Sequence, residues 1–406
     1  MSPPRTAVSG QFRPPARQLR PRDIGSCVEA ASCLPIDPKV LKVPEALLDK
    51  IRGAQKVLIV AHTNPDIDAI GSALSLAALT RHLKKRVDVC IDDTLGFQGS
   101  KLDYKSDIKR AGALAGKAWD VAIVVDVAAS RRIGGGWALL ERADHVVVVD
   151  HHHANRNDDI IQRCREKCTA WVDGDLDASA LQVAAIASRL LTGLTLTKAE
   201  QRAIYGPALA GIWTDTRAGS RDNMQKVTPA IFKHCLIASG LTIPKVIDSF
   251  ATKIPQRLRD LANDNRSFAE VPHEDIMILR APAEAYKDFG DQVYAIFPQA
   301  SDRDVVNILR ERAERWMHHG HKCVALVVEP TNGRVLVSLR AANGSARHIA
   351  NALGGNGHDA AAAATVYGQN LDDVIRWVQQ LAEGKQQTLK RQRAIPVKTL
   401  HPSQLS

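Results

Sequence analysis

The sequence predicts a two-domain α/β protein, with an N-terminal domain built on a doubly wound parallel sheet and a smaller α/β domain after it. The first observation is length, because 406 residues exceed the roughly 250 to 300 over which a single core keeps growing. The second is a series of nearly continuous aliphatic runs separated by helical patterns, which is typical of parallel strands covered on both faces. Hydrophobic residues make up 45% of the chain, enough for globular cores.

Four aliphatic runs predict strands of the first domain, at 56–61, 87–91, 121–125 and 146–149. Helical patterns predict helices at 69–82, 178–191, 198–213, 228–239 and 244–263. In the smaller domain we expect a strand at 276–279, a helix at 302–316, a hairpin of strands at 323–329 and 335–340, and a helix at 371–382. These elements predict a first domain at 44–262, a linker at 263–273 and a second domain at 274–384.

The net charge of +10 is concentrated at the two ends of the chain. Residues 1–22 carry five arginines and no acid, and residues 385–406 carry five Lys or Arg and no acid, so 44 basic and 44 acidic residues lie between them. We interpret 1–43 as a basic, Pro-rich, disordered arm and 385–406 as a basic tail. These ends either tether polyanions or keep the chain soluble.

The seven cysteines are odd in number and scattered, which indicates a reducing compartment, and we predict a cytoplasmic protein. Cys164 and Cys168 are better explained as isolated thiols than as zinc ligands, because no second pair matches them. No apolar run approaches the ~20 residues that span a bilayer. We therefore expect no membrane association and no secretory signal.

Acidic and histidine side chains follow four of the apolar segments. They are His62, Asp66 and Asp68 after the first run, Asp126 after the third, Asp150 to His153 after the fourth, and Asp215 after an apolar helix. Because the carboxyl ends of parallel strands meet at one crevice, these residues can converge there. Crowded carboxylates repel one another unless cations offset their charge, so the pattern predicts a metal site.

Carboxylate and imidazole ligands without thiolate favour two divalent cations, with Mn²⁺ preferred and Mg²⁺ or Co²⁺ as alternatives. Two ions about 3.5 to 4 Å apart can activate a water and stabilise a phosphoryl group, which predicts phosphoester hydrolysis. Each piece also has a simpler interpretation: Asp126 as a helix cap, residues 62–68 as a turn, and the histidine run as surface. Their combination in this order favours the metal site.

Four segments resemble the motifs of the DHH phosphoesterase superfamily. They are Ala-His-Thr-Asn-Pro-Asp-Ile-Asp-Ala-Ile-Gly-Ser at 61–72, Val-Val-Asp at 124–126 with Arg-Ile-Gly at 132–134, Asp-His-His at 150–152 with Asn155, and Gly-Ile-Trp-Thr-Asp-Thr at 211–216. Gly-Gly-Asn-Gly-His at 354–358 is similar to the glycine-rich signature of the DHHA1 substrate-binding domain, although Asn356 replaces the third glycine. The resemblance covers about residues 45 to 384.

The resemblance implies one ion held by His62, Asp66 and Asp126 and a second held by Asp68, His151 and Asp215, with Asp126 bridging. It implies that His152 contacts the scissile phosphate or donates a proton, and that Asp150 orients the histidines. The catalytic residues that it implies are therefore His152, Asp126 and Asp150. The substrate-binding residues by position are Arg340, Gly354, Gly355, Gly357, His358 and Asn155.

Among members of the superfamily, the two-domain arrangement is most similar to the stand-alone nanoRNase, oligoribonuclease and pAp-phosphatase group. This implies that a metal-activated water hydrolyses short single-stranded RNA or DNA, or a small nucleotide such as pAp, to nucleoside monophosphates. The alternatives are a soluble cyclic- or linear-dinucleotide phosphodiesterase, a RecJ-like single-strand exonuclease and a non-catalytic nucleic-acid-binding protein. A homodimer is a further expectation that the sequence leaves open.

Overall fold

The computed structural model describes residues 36–37, 40–99, 102, 105–153, 159–216, 225–250, 254, 256–264, 267–274, 276–298, 300–331 and 333–384. Its N-terminal sheet has six parallel strands in the order β3-β2-β1-β4-β5-β6. They are β1 Lys56–Val60, β2 Arg86–Cys90, β3 Ile108–Lys109, β4 Trp119–Val125, β5 Ala143–Asp150 and β6 Cys168–Val172. The doubly wound parallel sheet is confirmed, and its order places a topological switch point between β1 and β4.

Helices cover both faces of this sheet. They are α1 Glu45–Gly53, α2 Ile67–His82, α3 Gly96–Gly99, α4 Gly136–Leu140, α5 Ile160–Cys164, α6 Ser179–Leu190, α7 Lys198–Asp215, α8 Val227–Ser239 and α9 Ile243–Phe250. Successive strand residues face opposite sides, so Ile59 is buried in the cluster that contains α2 and α7, whereas Leu58 and Val60 are buried on the other face. Burial on both faces explains the continuously aliphatic strands.

Helices α2 and α7 approach closely because glycines lie where they cross. A Cβ atom on Gly71 would lie 2.3 Å from the carbonyl oxygen of Pro207, and one on Gly211 would lie 2.6 Å from Oδ1 of Asp68. Only glycine leaves space for this approach, which carries Asp215 at the end of α7 to the same crevice as Asp68 at the start of α2.

The last residues of the predicted N-terminal arm pack against the first domain. Ile36 and Val43 are 7% and 3% exposed and join its core cluster. The backbone N–H of Ile36 donates to Oγ of Ser188 at 2.6 Å. The prediction of a disordered arm is therefore wrong for these residues, because their apolar side chains are buried. Residues 1–35 lie outside the described part of the chain.

Two truncations test this packing. A protein that lacks residues 1–43 should have a free energy of unfolding about 3 to 6 kcal/mol lower than one that lacks residues 1–34, since each buried aliphatic side chain contributes roughly 1.5 to 3 kcal/mol. Urea denaturation of the two proteins measures the difference. Equal unfolding midpoints would contradict the packing of Ile36 and Val43.

The second sheet is mixed and has the order β11-β12-β10-β9-β8-β7. Its strands are β7 Ala269–Pro272, β8 Met277–Ala281, β9 Cys323–Thr331, β10 Arg334–Ala341, β11 Asn356–His358 and β12 Ala361–Tyr367. Its helices are α10 Gln256–Asp264, α11 Ala283–Ile296, α12 Asp302–His318, α13 Ala346–Ala352 and α14 Leu371–Ala382. The predicted hairpin is confirmed by antiparallel pairing of β9 with β10. Among the described helices, none is both long and apolar enough to cross a bilayer.

Two predictions near the domain boundary are wrong. The helix expected at 244–263 is divided into α9 and α10, and Ile254 lies in neither because a residue before proline disfavours helical backbone. Strand β7 lies inside the predicted linker and pairs with β8. Leu258 and Ala262 of α10 are buried in the cluster of α11 and α12. We therefore propose that the second domain begins near residue 254.

Candidate metal centre

The carboxyl ends of three neighbouring strands bring His62, Asp126 and His151 into one crevice, at the switch point between β1 and β4. Asp126 has a left-handed φ of 60°, and its N–H donates to the carbonyl of Val149 at 2.9 Å. This conformation is uncommon outside glycine and is often found at functional sites.

The carboxylate of Asp126 faces two histidines with its two oxygens. Nε2 of His62 lies 3.3 Å from Oδ2, and Nε2 of His151 lies 3.3 Å from Oδ1. All three side chains are 1% exposed. Asp126 thus presents a different carboxylate oxygen to each of the two imidazoles. This arrangement suits a carboxylate that is shared between two metal ions.

Both imidazoles are oriented through their other nitrogen. Nδ1 of His62 is 2.7 Å from the carbonyl oxygen of Thr63, and Nδ1 of His151 is 3.2 Å from that of Leu176. When each Nδ1–H donates to its carbonyl, a neutral ring presents the lone pair of Nε2 to the carboxylates. Nε2 of His62 is buried and makes no hydrogen bond to any described residue. A lone pair on Nε2 and a carboxylate oxygen repel each other. A cation bound between them would remove this repulsion, so the donor set fits a metal ion.

Asp66 and Asp215 extend the two sides of the centre. Oδ1 of Asp66 lies 3.8 Å from Nε2 of His62, and Oδ2 of Asp215 lies 3.5 Å from Nε2 of His151. His62, Asp66 and Asp126 offer ligand atoms that all lie within 4.8 Å of one another. The structure therefore brings together the three residues expected for the first ion.

Asp68 lies on the His151 side and is held by the start of α6. Its Oδ2 is 3.7 Å from Nε2 of His151. Oδ2 accepts from the N–H of Ser179 at 2.7 Å, and Oδ1 accepts from that of Ala180 at 2.9 Å. Oγ of Ser179 also donates to Asp126 at 3.1 Å. Sequence reasoning missed Ser179 and Ala180, because no local pattern marks a contact across 111 residues.

Crowding shifts the pKa values of these groups in opposite directions. Burial, then Asp126 and Asp215, raise the pKa of Asp68 well above its ordinary value. Burial also acts to raise the pKa of Asp126, but His151 and His62 outweigh it and hold that pKa well below its usual range. For His151, burial acts to lower the pKa, yet Asp126 and its neighbours raise it well above normal. Such a cluster must hold protons or cations to offset its charge, and divalent cations suit it.

His152 is oriented by Asp150. Oδ1 of Asp150 lies 2.7 Å from Nδ1 of His152 and accepts from its backbone N–H at 3.2 Å. Asp150 therefore contacts the ring of His152, whereas Nδ1 of His151 faces the carbonyl oxygen of Leu176. Because Nδ1 of His152 is engaged, Nε2 is the ring atom that can contact a substrate.

The glycine-rich loop of the second domain lies against the centre. The ring of His358 is 5.3 Å from that of His151 and 6.1 Å from that of His152. His151, Asp215 and His358 form a further group of three potential ligands. Nδ2 of Asn356 donates to the carbonyl of His153 at 3.2 Å. Asn356, which stands where the family signature has a third glycine, thus supplies a hydrogen bond between the domains.

The last three residues of this glycine-rich loop form β11, and its glycines allow it to pack on β12. A Cβ atom on Gly355 would lie 2.0 Å from the carbonyl oxygen of Ala363, and Gly357 has a φ of 143°. The carbonyl oxygen of Gly354 accepts from Nη2 of Arg131 at 3.0 Å. The loop is therefore fixed both to its own sheet and to the first domain.

Arg340 lies at the end of β10, opposite Ala361 of β12. Its Nε is 2.8 Å from Oε1 of Glu314, and its Nη1 donates to the carbonyl of Leu339 at 2.9 Å. The guanidinium predicted to hold phosphate is thus paired with a carboxylate of α12 in this structure. Asn155 lies outside the described residues.

Arg303 contacts the candidate metal ligand Asp66, and the sequence alone did not predict this contact. This residue of α12 donates from Nη2 to Oδ2 of Asp66 at 2.8 Å and from Nη1 to the carbonyl of Asn64 at 2.7 Å. Burial acts to raise the pKa of Asp66, but the Arg303 guanidinium, with smaller contributions from His62 and the Ala69 amide, lowers it. No motif reveals this pair, because 237 residues separate its members.

Comparison with known families agrees with this architecture. Residues 56–212 match the DHH family, N-terminal domain, and residues 291–384 match the DHHA1 domain. The chain belongs to the DHH/DHHA1 phosphoesterase superfamily, whose members use divalent metals.

Individual relatives resemble the chain to different extents. The bifunctional oligoribonuclease and PAP phosphatase NrnA of Thermus thermophilus is 25% identical over 329 residues, 79% of this chain and 87% of that protein. The cyclic-di-AMP phosphodiesterase GdpP of Geobacillus thermodenitrificans is 29% identical over 120 residues, 27% of this chain and 18% of that protein. An exopolyphosphatase-related protein from Bacteroides fragilis shares the fold, with a TM-score of 0.60 and 18% identity over 86% of this chain and 99% of its own.

Proposed function

We propose that this protein is a divalent-cation-dependent phosphoesterase that hydrolyses short oligonucleotides or pAp-like nucleotides to nucleoside monophosphates. The observation that carries the proposal is the pair of buried imidazole nitrogens, of His62 and His151, on opposite oxygens of Asp126. Similarity to NrnA over 79% of the chain supports the substrate class.

In this proposal, His62, Asp66 and Asp126 hold one cation and Asp68, His151 and Asp215 hold the other, with Asp126 shared. The mixed oxygen and nitrogen donors suit Mn²⁺, with Mg²⁺ or Co²⁺ as alternatives. Bound divalent cations supply a water of lowered pKa and offset the charge of phosphoryl oxygens.

The side chains of the protein position the substrate around these ions. His152, oriented by Asp150, contacts the scissile phosphate and supplies a proton to the leaving oxygen. The loop 354–358 presents backbone amides and His358, while Arg340 and Asn155 hold the remaining nucleotide. The hydrogen bond from Asn356 to the carbonyl of His153 supports a role of this loop in substrate contact, because it holds the loop beside the metal centre.

An activity panel tests the proposal. We expect purified protein with Mn²⁺ to release AMP from a labelled ApA-type dinucleotide or from pAp, while a single-stranded 20-mer resists. Chelation with EDTA should abolish release, and added Mn²⁺ should restore it. Absence of hydrolysis with every substrate and metal would contradict the proposal and favour a non-catalytic nucleic-acid-binding protein, whereas rapid cleavage of the 20-mer would favour a RecJ-like exonuclease.

A cyclic- or linear-dinucleotide phosphodiesterase is the second candidate, favoured by the 29% identity with GdpP over 120 residues. Cyclic di-AMP in the same panel separates the candidates. Hydrolysis of cyclic di-AMP with pAp left intact would replace the leading proposal by this one.

Replacing Arg340 tests the substrate contact. Arg340→Ala should raise KM by about 10- to 150-fold with kcat retained, because a hydrogen bond to a charged group contributes roughly 1.5 to 3 kcal/mol. Arg376→Ala is the control, since that side chain is 68% exposed on α14. Steady-state kinetics with the dinucleotide measure both variants. A fall in kcat at constant KM would contradict the binding role.

We further propose a cytoplasmic location. The described cysteines at positions 90, 164, 168, 235 and 323 are free thiols, which supports a reducing compartment. The homodimer and the roles of the basic ends stay predictions.

A further inference from the structure

One arginine of the second domain holds the loop that carries a candidate metal ligand. The guanidinium of Arg303 bonds both the carboxylate of Asp66, at 2.8 Å, and the backbone carbonyl of Asn64, at 2.7 Å. The planar fork of arginine can engage two acceptors at once, which a single point charge cannot do with the same geometry. Arg303 thus fixes both the side chain and the backbone of this loop.

The two oxygens of Asp66 face different partners. Oδ1 accepts from the N–H of Ala69 at 3.0 Å and lies 3.8 Å from Nε2 of His62, on the side of the metal centre. Oδ2 bonds Arg303. The arginine therefore sets the rotation of the carboxylate without occupying the oxygen that faces the centre. Outer partners of this kind typically tune the affinity of a metal site.

Arg303 moves together with the second domain, because it belongs to a helix of that domain. Arg303 lies in the first turn of α12, which is fixed by a capping box between Ser301 and Asp304. A Cβ atom on Gly96 of the first domain would lie 2.8 Å from Oδ2 of Asp304. The start of α12 is thus seated directly against the first domain, and movement of the second domain would withdraw Arg303 from Asp66.

We propose that Arg303 is a positioning residue through which closure of the second domain strengthens cation binding by His62, Asp66 and Asp126. This inference rests on the proposed function, because it requires a cation at that site. By linkage, a cation must favour the closed arrangement by the same factor by which closure favours the cation.

Calorimetry and solution scattering on the full-length protein test the proposal with Mn²⁺ alone as the probe. Arg303→Ala should weaken Mn²⁺ binding by about 10- to 100-fold. Without metal, the variant should also scatter as a more extended particle than the wild type. Arg315→Ala is the matched control, since Arg315 lies on the same helix and is exposed, and it should behave as the wild type in both measurements.

The outcomes separate this inference from the proposed function. A wild-type protein that binds no divalent cation contradicts both. An Arg303→Ala protein with wild-type affinity and wild-type scattering contradicts the positioning role alone. If circular dichroism shows that the alanine variant does not fold, Arg303→Gln, which keeps most of the side-chain volume without the charge, replaces it, and wild-type affinity in that variant overturns the proposal.

Discussion

An Asp126→Ala enzyme should lose turnover by on the order of 10³-fold or more, since deleting a single group that stabilises transition-state charge already costs 10² to 10³. The loss should be larger here because the two oxygens of Asp126 face the ligands of both proposed ions. Mn²⁺ binding should weaken in parallel. Single-turnover hydrolysis of the labelled dinucleotide and calorimetry measure the two effects.

Two further variants control for folding. Asp126→Asn keeps the shape and tolerates the left-handed backbone found at this position, so its loss of activity reports the missing charge. Asp144→Ala, at an exposed position of β5, should retain wild-type activity. Near-normal turnover by either Asp126 variant would place the catalytic centre elsewhere.

A Gly211→Ala protein should lose both stability and metal affinity. Its new Cβ would lie 2.6 Å from Oδ1 of Asp68 and 2.9 Å from Cβ of Ala180, so Asp68 or the start of α6 must move. Overpacking of this kind costs about 1 to 3 kcal/mol. Displacement of Asp68 should also lower the affinity for the cation that is proposed to bind beside His151.

Gly206→Ala is the matched control on the same helix. Its Cβ would meet atoms no closer than 3.9 Å, so this substitution should be neutral or stabilising by up to ~1 kcal/mol through helix propensity. Urea denaturation with and without Mn²⁺ compares the two variants. Equal stability and equal Mn²⁺ response would show that Gly211 is not required for the close packing of α7 against Asp68.

The sheet and the candidate ligands could be predicted because both follow from local patterns. Continuous aliphatic runs mark strands buried on both faces, and His62, Asp126 and Asp150 stand at the ends of such runs. The convergence of strand ends at a switch point then brings them together without further information.

Contacts made across the fold could not be predicted in the same way. The amides of Ser179 and Ala180 reach Asp68, and Arg303 reaches Asp66, only after the chain has folded. The pairing of Arg340 with Glu314 likewise depends on how α12 packs on the second sheet. Strand β7 was missed because its Pro-terminated run of four residues resembles a linker.

The most direct test of the account is a crystal structure of the full-length protein grown with Mn²⁺ and measured at the manganese absorption edge. We expect two anomalous peaks about 3.5 to 4 Å apart. One should lie among His62, Asp66 and Asp126, and the other among Asp68, His151 and Asp215. Density for no ion, or for ions away from Asp126, would contradict the paired metal centre on which the proposed function depends.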